Sequence, residues 1–133
     1  MIEKIDHIGI AVKSIEESKN FFEDILGLNV VFEETLPDSG VKALGLSIGE
    51  SRLELLEAYG ENSPIEKFIE KKGEGLHHIA LKVDDIEKML KLLKDKGFRL
   101  IDEKPRIGAE GKKIAFVHPK STHGILMELV EEK

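Results

Sequence analysis

The chain has 133 residues, a formal net charge of −6 and no cysteine. With 41% hydrophobic and 35% charged residues it fits one compact α+β domain with a real core, not a disordered segment. The acidic balance carries no basic stripe and so excludes nonspecific nucleic-acid binding; the missing cysteines exclude disulfides, thiolate nucleophiles and zinc–thiolate sites.

Met1-Ile2-Glu3-Lys4-Ile5-Asp6 enters a strand pattern directly and holds no signal-peptide core. No apolar run approaches bilayer length, so no membrane partner and a cytoplasmic address are expected. In the first strand Ile8, Ile10 and Val12 share one face, and His7, Gly9 and Ala11 share the other. Ser14-Ile15-Glu16-Glu17 is a capping box. It opens a helix whose inward stripe is Ile15, Ser18, Phe22, Ile25 and Leu26, stopped by Gly27. A strand from Val30 to about Leu36, a turn at 37–40, a strand Val41–Ile48 and a hairpin at Gly49-Glu50 follow. Arg52–Glu57 closes the meander. Pro64 starts a short helix, and Lys72-Gly73-Glu74-Gly75 makes a joint.

The order then repeats. Gly75-Leu76-His77-His78-Ile79-Ala80-Leu81-Lys82-Val83 echoes Asp6-His7-Ile8-Gly9-Ile10-Ala11-Val12. Asp84-Asp85-Ile86-Glu87 caps a helix with Ile86, Met89, Leu90 and Leu93 inward, and Gly97 ends it. Phe98–Ile101 reads as a strand, 105–111 as a Gly-bearing loop, Lys113–His118 as a strand, 119–124 as a turn and Ile125–Val130 as the last strand. The chain is therefore expected to be two tandem β-α-β-β-β modules, about 1–60 and 76–133, joined by a linker helix within 61–75. Together they would make a curved, barrel-like mixed sheet around one site. The linker helix is expected to expose Ile65, Phe68 and Ile69, which favours a homodimer.

Each module opens with a strand histidine, His7 or His78, and closes with a carboxylate inside an apolar strand, Glu54 or Glu128. A buried, unpaired carboxylate costs several kcal/mol or neutralises itself, so it needs a partner. Two imidazoles and two carboxylates would find mutual partners through one divalent cation. The plainer alternatives are a satisfied core histidine and an exposed strand-face glutamate. Glu50 and Glu57 stand near Glu54, and the acidic tail follows Glu128. His77 has the opposite parity to His78 and reads as a packing residue.

The paired modules and histidine strands resemble the vicinal oxygen chelate superfamily. Within it, Leu53-Glu54-Leu55-Leu56-Glu57, Ser63-Pro64-Ile65, Ile107-Gly108-Ala109-Glu110-Gly111-Lys112 and Phe116-Val117-His118-Pro119-Lys120 resemble the methylmalonyl-CoA epimerase family. The resemblance runs nearly end to end. It implies His7, Glu54, His78 and Glu128 as metal ligands, with one divalent ion per subunit: cobalt first, manganese, nickel, iron or zinc as competent substitutes. The implied reaction interconverts (2R)- and (2S)-methylmalonyl-CoA by C2 proton abstraction, with Glu128 also the catalytic base. At position 43, where some relatives carry an acid, this chain has Ala43. Glu110 is the substitute candidate for the second acid–base group. Among Arg106, Lys112, Lys113, His118 and Lys120, the expected contacts to the coenzyme A moiety are Lys113, His118 and Lys120. The competing expectations on the same scaffold are a glyoxalase I-type isomerase, an oxygen-activating enzyme and a non-catalytic binding module.

Overall fold

The computed structural model describes residues 1–132. It contains β1 (Ile2–Ala11), α1 (Ile15–Lys19), β2 (Asn29–Leu36), β3 (Val41–Ile48), β4 (Ser51–Ala58), α2 (Pro64–Lys72), β5 (Gly75–Val83), α3 (Ile86–Asp95), β6 (Arg106–Ile107), β7 (Lys113–Val117) and β8 (Met127–Glu131). The α+β class and the duplicated order match the sequence expectation. The chain divides into two compact units, Ile8–His77 and Met1–His7 with His78–Lys133, so β1 contributes to both.

In the unit Ile8–His77 the strand order is β2-β3-β4-β1, and β2/β3 and β3/β4 are antiparallel. Strand alternation sends its side chains to two faces. On one, Val12, Ile15, Leu44, Leu46 and Leu55 are buried, with Ile10 and Phe22 packed beside them. On the other, Ala11, Ala43 and Leu56 meet Ile65 of α2. Ser63 caps α2 by accepting from the Ile65 N–H, and its hydroxyl donates to the Gly40 carbonyl at 2.6 Å.

The linker helix therefore departs from expectation. Ile65 is buried, and Phe68 and Ile69 pack on the same cluster. The apolar stripe of α2 is spent on its own unit, so it gives no support to a subunit interface. The first helix also departs. Ser14 does accept from the Glu17 N–H, but after Lys19 the chain widens into a π-helix, Asn20–Ile25. Leu26 N–H reaches back five residues to the Phe21 carbonyl. The wider turn rotates Ile25 and Leu26 off the stripe, and both are exposed.

In the other unit the order is β1-β5-β8-β7-β6. β5 and β8 run parallel, and β7 is antiparallel to both β8 and β6, so the sheet is mixed. Val83, Ile86, Leu90, Ala115, Val117 and Leu129 form the core between α3 and one face. Ala80, Ile114 and Val130 form a smaller cluster on the opposite face.

Residues 98–101 do not form the expected strand; they make a single bridge, Leu100 to Val117. The N–H groups of Ile101 and Asp102 both go to the Phe116 carbonyl, and Asp102 Oδ2 accepts from the Phe116 N–H at 2.9 Å. A side chain thus replaces the next rung of the ladder. The Arg99 N–H and carbonyl bond the Ser121 hydroxyl and the His118 N–H. The last strand begins at Met127, not Ile125, which is exposed.

Candidate metal centre

His7, His78 and Glu128 belong to the unit of Met1–His7 and His78–Lys133. Ala80 of β5 is paired with Glu128 of β8, which is in turn paired with Phe116 of β7. Alternation puts His78 on the same face as Ala80. His7 comes from the middle of β1. His7, His78 and Glu128 are buried to within 5% exposure, so water does not satisfy their polar atoms.

Three atoms meet. His7 Nε2 lies 3.0 Å from His78 Nε2, and Glu128 Oε1 lies 3.2 Å from the first and 2.9 Å from the second. The rings stand edge to face, with centroids 5.1 Å apart. His7 Nδ1–H donates to Asp6 Oδ2 at 2.7 Å, which leaves Nε2 of a neutral His7 as a lone pair. That lone pair points at another imidazole nitrogen and at a carboxylate oxygen. Burial raises the Glu128 pKa, but at acid pH, where both rings carry a proton on Nε2, the hydrogen bonds and charges of His7 and His78 outweigh it and bring the carboxyl down to about 2. Glu128 is thus ionised at neutral pH.

Such a set fits a divalent cation. Donors held about 2.1 Å from one ion stand about 3 Å apart on neighbouring corners of an octahedron, and that is the spacing of these three atoms. Imidazole and carboxylate ligands suit cobalt, nickel, iron, manganese or zinc.

Glu54 lies in the other unit, buried in β4 and paired across the ladder with Gly45. Its own unit gives it a face shared with Leu56 and Ala43, and Ala43 is itself core under α2. His77 packs its ring against Phe68 of α2, centroids 4.9 Å apart. Glu110 sits in a left-handed turn (φ 59°) with its carboxylate 3.4 Å from Lys112 Nζ.

The expected coenzyme A contacts separate. Lys113 alternates with Ile114 and Phe116 and so faces away from Glu128, pairing with Glu87 of α3 at 3.3 Å. The structure does not bring it to the centre. His118 Nδ1 accepts from the Lys120 N–H and caps the short turn at Pro119–Ser121. Desolvation, then the Arg99 and Lys120 charges, lower its pKa, so the neutral ring is favoured. Lys120 is exposed on that turn.

Two neighbours were not singled out from sequence as part of the centre. Asp6 is one; its place next to His7 in the strand motif was the available signal. Phe116 is the other. Its ring lies edge-on to His78, centroids 5.7 Å apart, and the Arg106 guanidinium stacks 5.5 Å from the ring centre. Cross-strand pairing with Glu128 determines this, and pairing partners are not visible in a linear pattern.

Residues 6–116 match the family model of the Glyoxalase/Bleomycin resistance protein/Dioxygenase superfamily. The chain belongs to that superfamily. Among its relatives, the Bacillus subtilis protein YqjC is 45% identical over 99% of this chain and 94% of its own. The mitochondrial methylmalonyl-CoA epimerase of Dictyostelium discoideum is 39% identical over 98% of this chain and 80% of its own. A solved methylmalonyl-CoA epimerase in complex with methylmalonyl-CoA and NH4+ superposes with a TM-score of 0.95 at 38% identity, covering 99% of this chain and 96% of that one. Within the superfamily the chain thus stands with proteins of that name.

Proposed function

We propose that this chain is a metal-dependent epimerase that interconverts (2R)- and (2S)-methylmalonyl-CoA. The convergence of His7, His78 and Glu128 on one buried point carries the reading. The relatives named methylmalonyl-CoA epimerase, matched over nearly the whole chain, supply the substrate.

In this reading His7, His78 and Glu128 hold one divalent cation, and Glu54 is the fourth ligand on the strength of its burial and its repeat-equivalent place. A bound divalent ion supplies Lewis acidity to the thioester and carboxylate oxygens flanking C2, where charge builds as the proton leaves. The chain's own residues do the rest. Glu128 uses Oε1 for its contacts with the two imidazoles, and Oε2 is the oxygen left to take or return the C2 proton on one face. Ala43, in the core under α2, has no proton to exchange. The opposite face is served by Glu110 or by water relayed to Glu128. Lys120 and His118 mark the turn that meets the coenzyme A phosphates, with Lys120 carrying the charge. Cobalt is the favoured ion. A homodimer remains the expected assembly, resting now on the superfamily resemblance alone.

The test is solvent deuterium exchange at C2 of methylmalonyl-CoA, run beside metal analysis of the purified protein. Exchange that requires bound metal, and that His7→Ala or His78→Ala abolishes in folded protein, is the expected result. Turnover of a hemithioacetal with no C2 exchange would overturn the substrate assignment. Parental exchange in a metal-stripped His78→Ala variant would overturn the centre.

A further inference from the structure

The residues that precede the two strand histidines differ. The residue before His78 is His77, which turns its ring to Phe68. The residue before His7 is Asp6, a carboxylate buried to 7% exposure. Asp6 Oδ2 lies 2.7 Å from His7 Nδ1, the short range of a charge-assisted hydrogen bond. The bond commits the proton of a neutral His7 to Nδ1 and turns the Nε2 lone pair toward His78 and Glu128. A carboxylate behind an imidazole also raises the basicity of the far nitrogen.

We infer that Asp6 is a positioning residue. It fixes the tautomer and orientation of His7 and raises the cation affinity of the centre. The inference rests on the metal-centre reading above. It concerns an atom one bond shell further out, so the two can fail separately. A carboxylate buried only to stabilise the fold would have no reason to select one nitrogen of His7.

Two variants test it, Asp6→Asn and Asp6→Ala, with Glu131→Gln as a control. Glu131 lies in the same unit, on the opposite face of β8 from Glu128, and accepts the Ile86 N–H at the start of α3, so its loss perturbs a structural hydrogen bond away from the donor face. The first readout is the Co2+ dissociation constant by chelator competition on metal-stripped protein. The second is the nitrogen-15 spectrum of the histidine rings without metal. Loss of the supporting carboxylate should weaken Co2+ binding about 10- to 100-fold, more in Asp6→Ala than in Asp6→Asn. Glu131→Gln should bind as the parent does. The parent spectrum should show His7 protonated at Nδ1, and Asp6→Ala should shift that proton toward Nε2. If Asp6→Ala does not fold, Asp6→Asn decides. Co2+ affinity within twofold of the parent in a folded variant, or an unchanged His7 tautomer, overturns the role of Asp6. A parent that binds no Co2+ overturns the centre itself, and the tautomer spectrum then judges Asp6 alone.

Discussion

In the first repeat the residue across the ladder from Glu54 is Gly45, and Phe32 of β2 lies over it so closely that a Cβ there would stand 2.2 Å from the ring. In the second repeat the residue across from Glu128 is Phe116 itself. Each phenylalanine carries a stacked arginine at the same 5.5 Å, Arg52 over Phe32 and Arg106 over Phe116. The two repeats thus set an aromatic ring and a guanidinium beside the ladder position of their glutamate, but draw the ring from different strands. The reason is strand length. β2 runs eight residues along β3 and can deliver a side chain over the glycine, whereas β6 has two residues and ends before that level. The central strand of the second meander supplies its own ring instead. Duplication preserved the arrangement around the glutamate and not the residue that makes it.

The largest expected effect would break the equivalence of the two glutamates. If Glu128 both holds the cation and moves the proton, Glu128→Gln should lower C2 exchange by about 10³-fold, roughly 4 kcal/mol of transition-state stabilisation. Glu54 is assigned a ligand role alone, and its amide retains an oxygen donor. Glu54→Gln should keep exchange within about tenfold, or about 1.4 kcal/mol, while weakening cation binding. Equal losses in parallel exchange assays would show that the repeats divide the chemistry evenly.

Acid should separate Glu128 from the rest of the chain as well. Its folded carboxyl is held at about 2, against an ordinary value of 4.5. A depressed folded pKa means stability that is present above about 4.5 and lost as the pH falls toward 2. The urea midpoint of metal-free protein should therefore fall across that window, and Glu128→Gln should flatten the fall. An identical slope in the variant would show that other carboxylates govern acid unfolding.

Gly45 sharpens the same contrast at the level of packing. Gly45→Ala should destabilise by about 1–3 kcal/mol, because Phe32 must leave the position it fills. A double variant with Phe32→Leu should recover part of that loss in chemical denaturation. A neutral Gly45→Ala would mean that the ring gives way freely, and the proposed division of labour between strands would not hold.

Much of this was legible in the chain before any coordinates. The histidine strands and the meander order follow from period-two alternation, which a strand obeys wherever it is placed; that His78 and Glu128 share a face follows only once β5 is paired with β8. What sequence did not show depends on partners. Phe98–Ile101 has strand composition, yet Asp102 ends its pairing by taking the Phe116 N–H. The stripe of α2 showed that one helix face is buried without showing that its own unit buries it. Lys113 was grouped with other cations by nearness in sequence, but one residue of alternation sends it to α3. The π-turn after Lys19 leaves no compositional mark, and Ile25 and Leu26 at its end lie at the surface.

The smallest effect concerns a feature the repeats do share. Glu57 at the end of β4 accepts the Ile15 N–H at 2.8 Å, and Glu131 at the end of β8 accepts the Ile86 N–H at 2.7 Å. Each glutamate satisfies an orphan donor at a helix start and places a negative charge at the positive end of the helix dipole. Ser14 and Asp85 already cap the same helices through the N–H groups of Glu17 and Lys88. The glutamates therefore add to an existing cap, and removing either should cost about 1 kcal/mol. Glu57 also stands 3.9 Å from Lys42, a partly exposed pair that contributes little. Denaturation of Glu57→Ala and Glu131→Ala should thus give losses within about 0.5 kcal/mol of each other, which is the usual additivity error. A much larger loss for Glu131→Ala would mean that regular α3, with Ile86 and Leu90 in the core, depends on its start more than α1 does, since α1 passes into the π-turn after five residues.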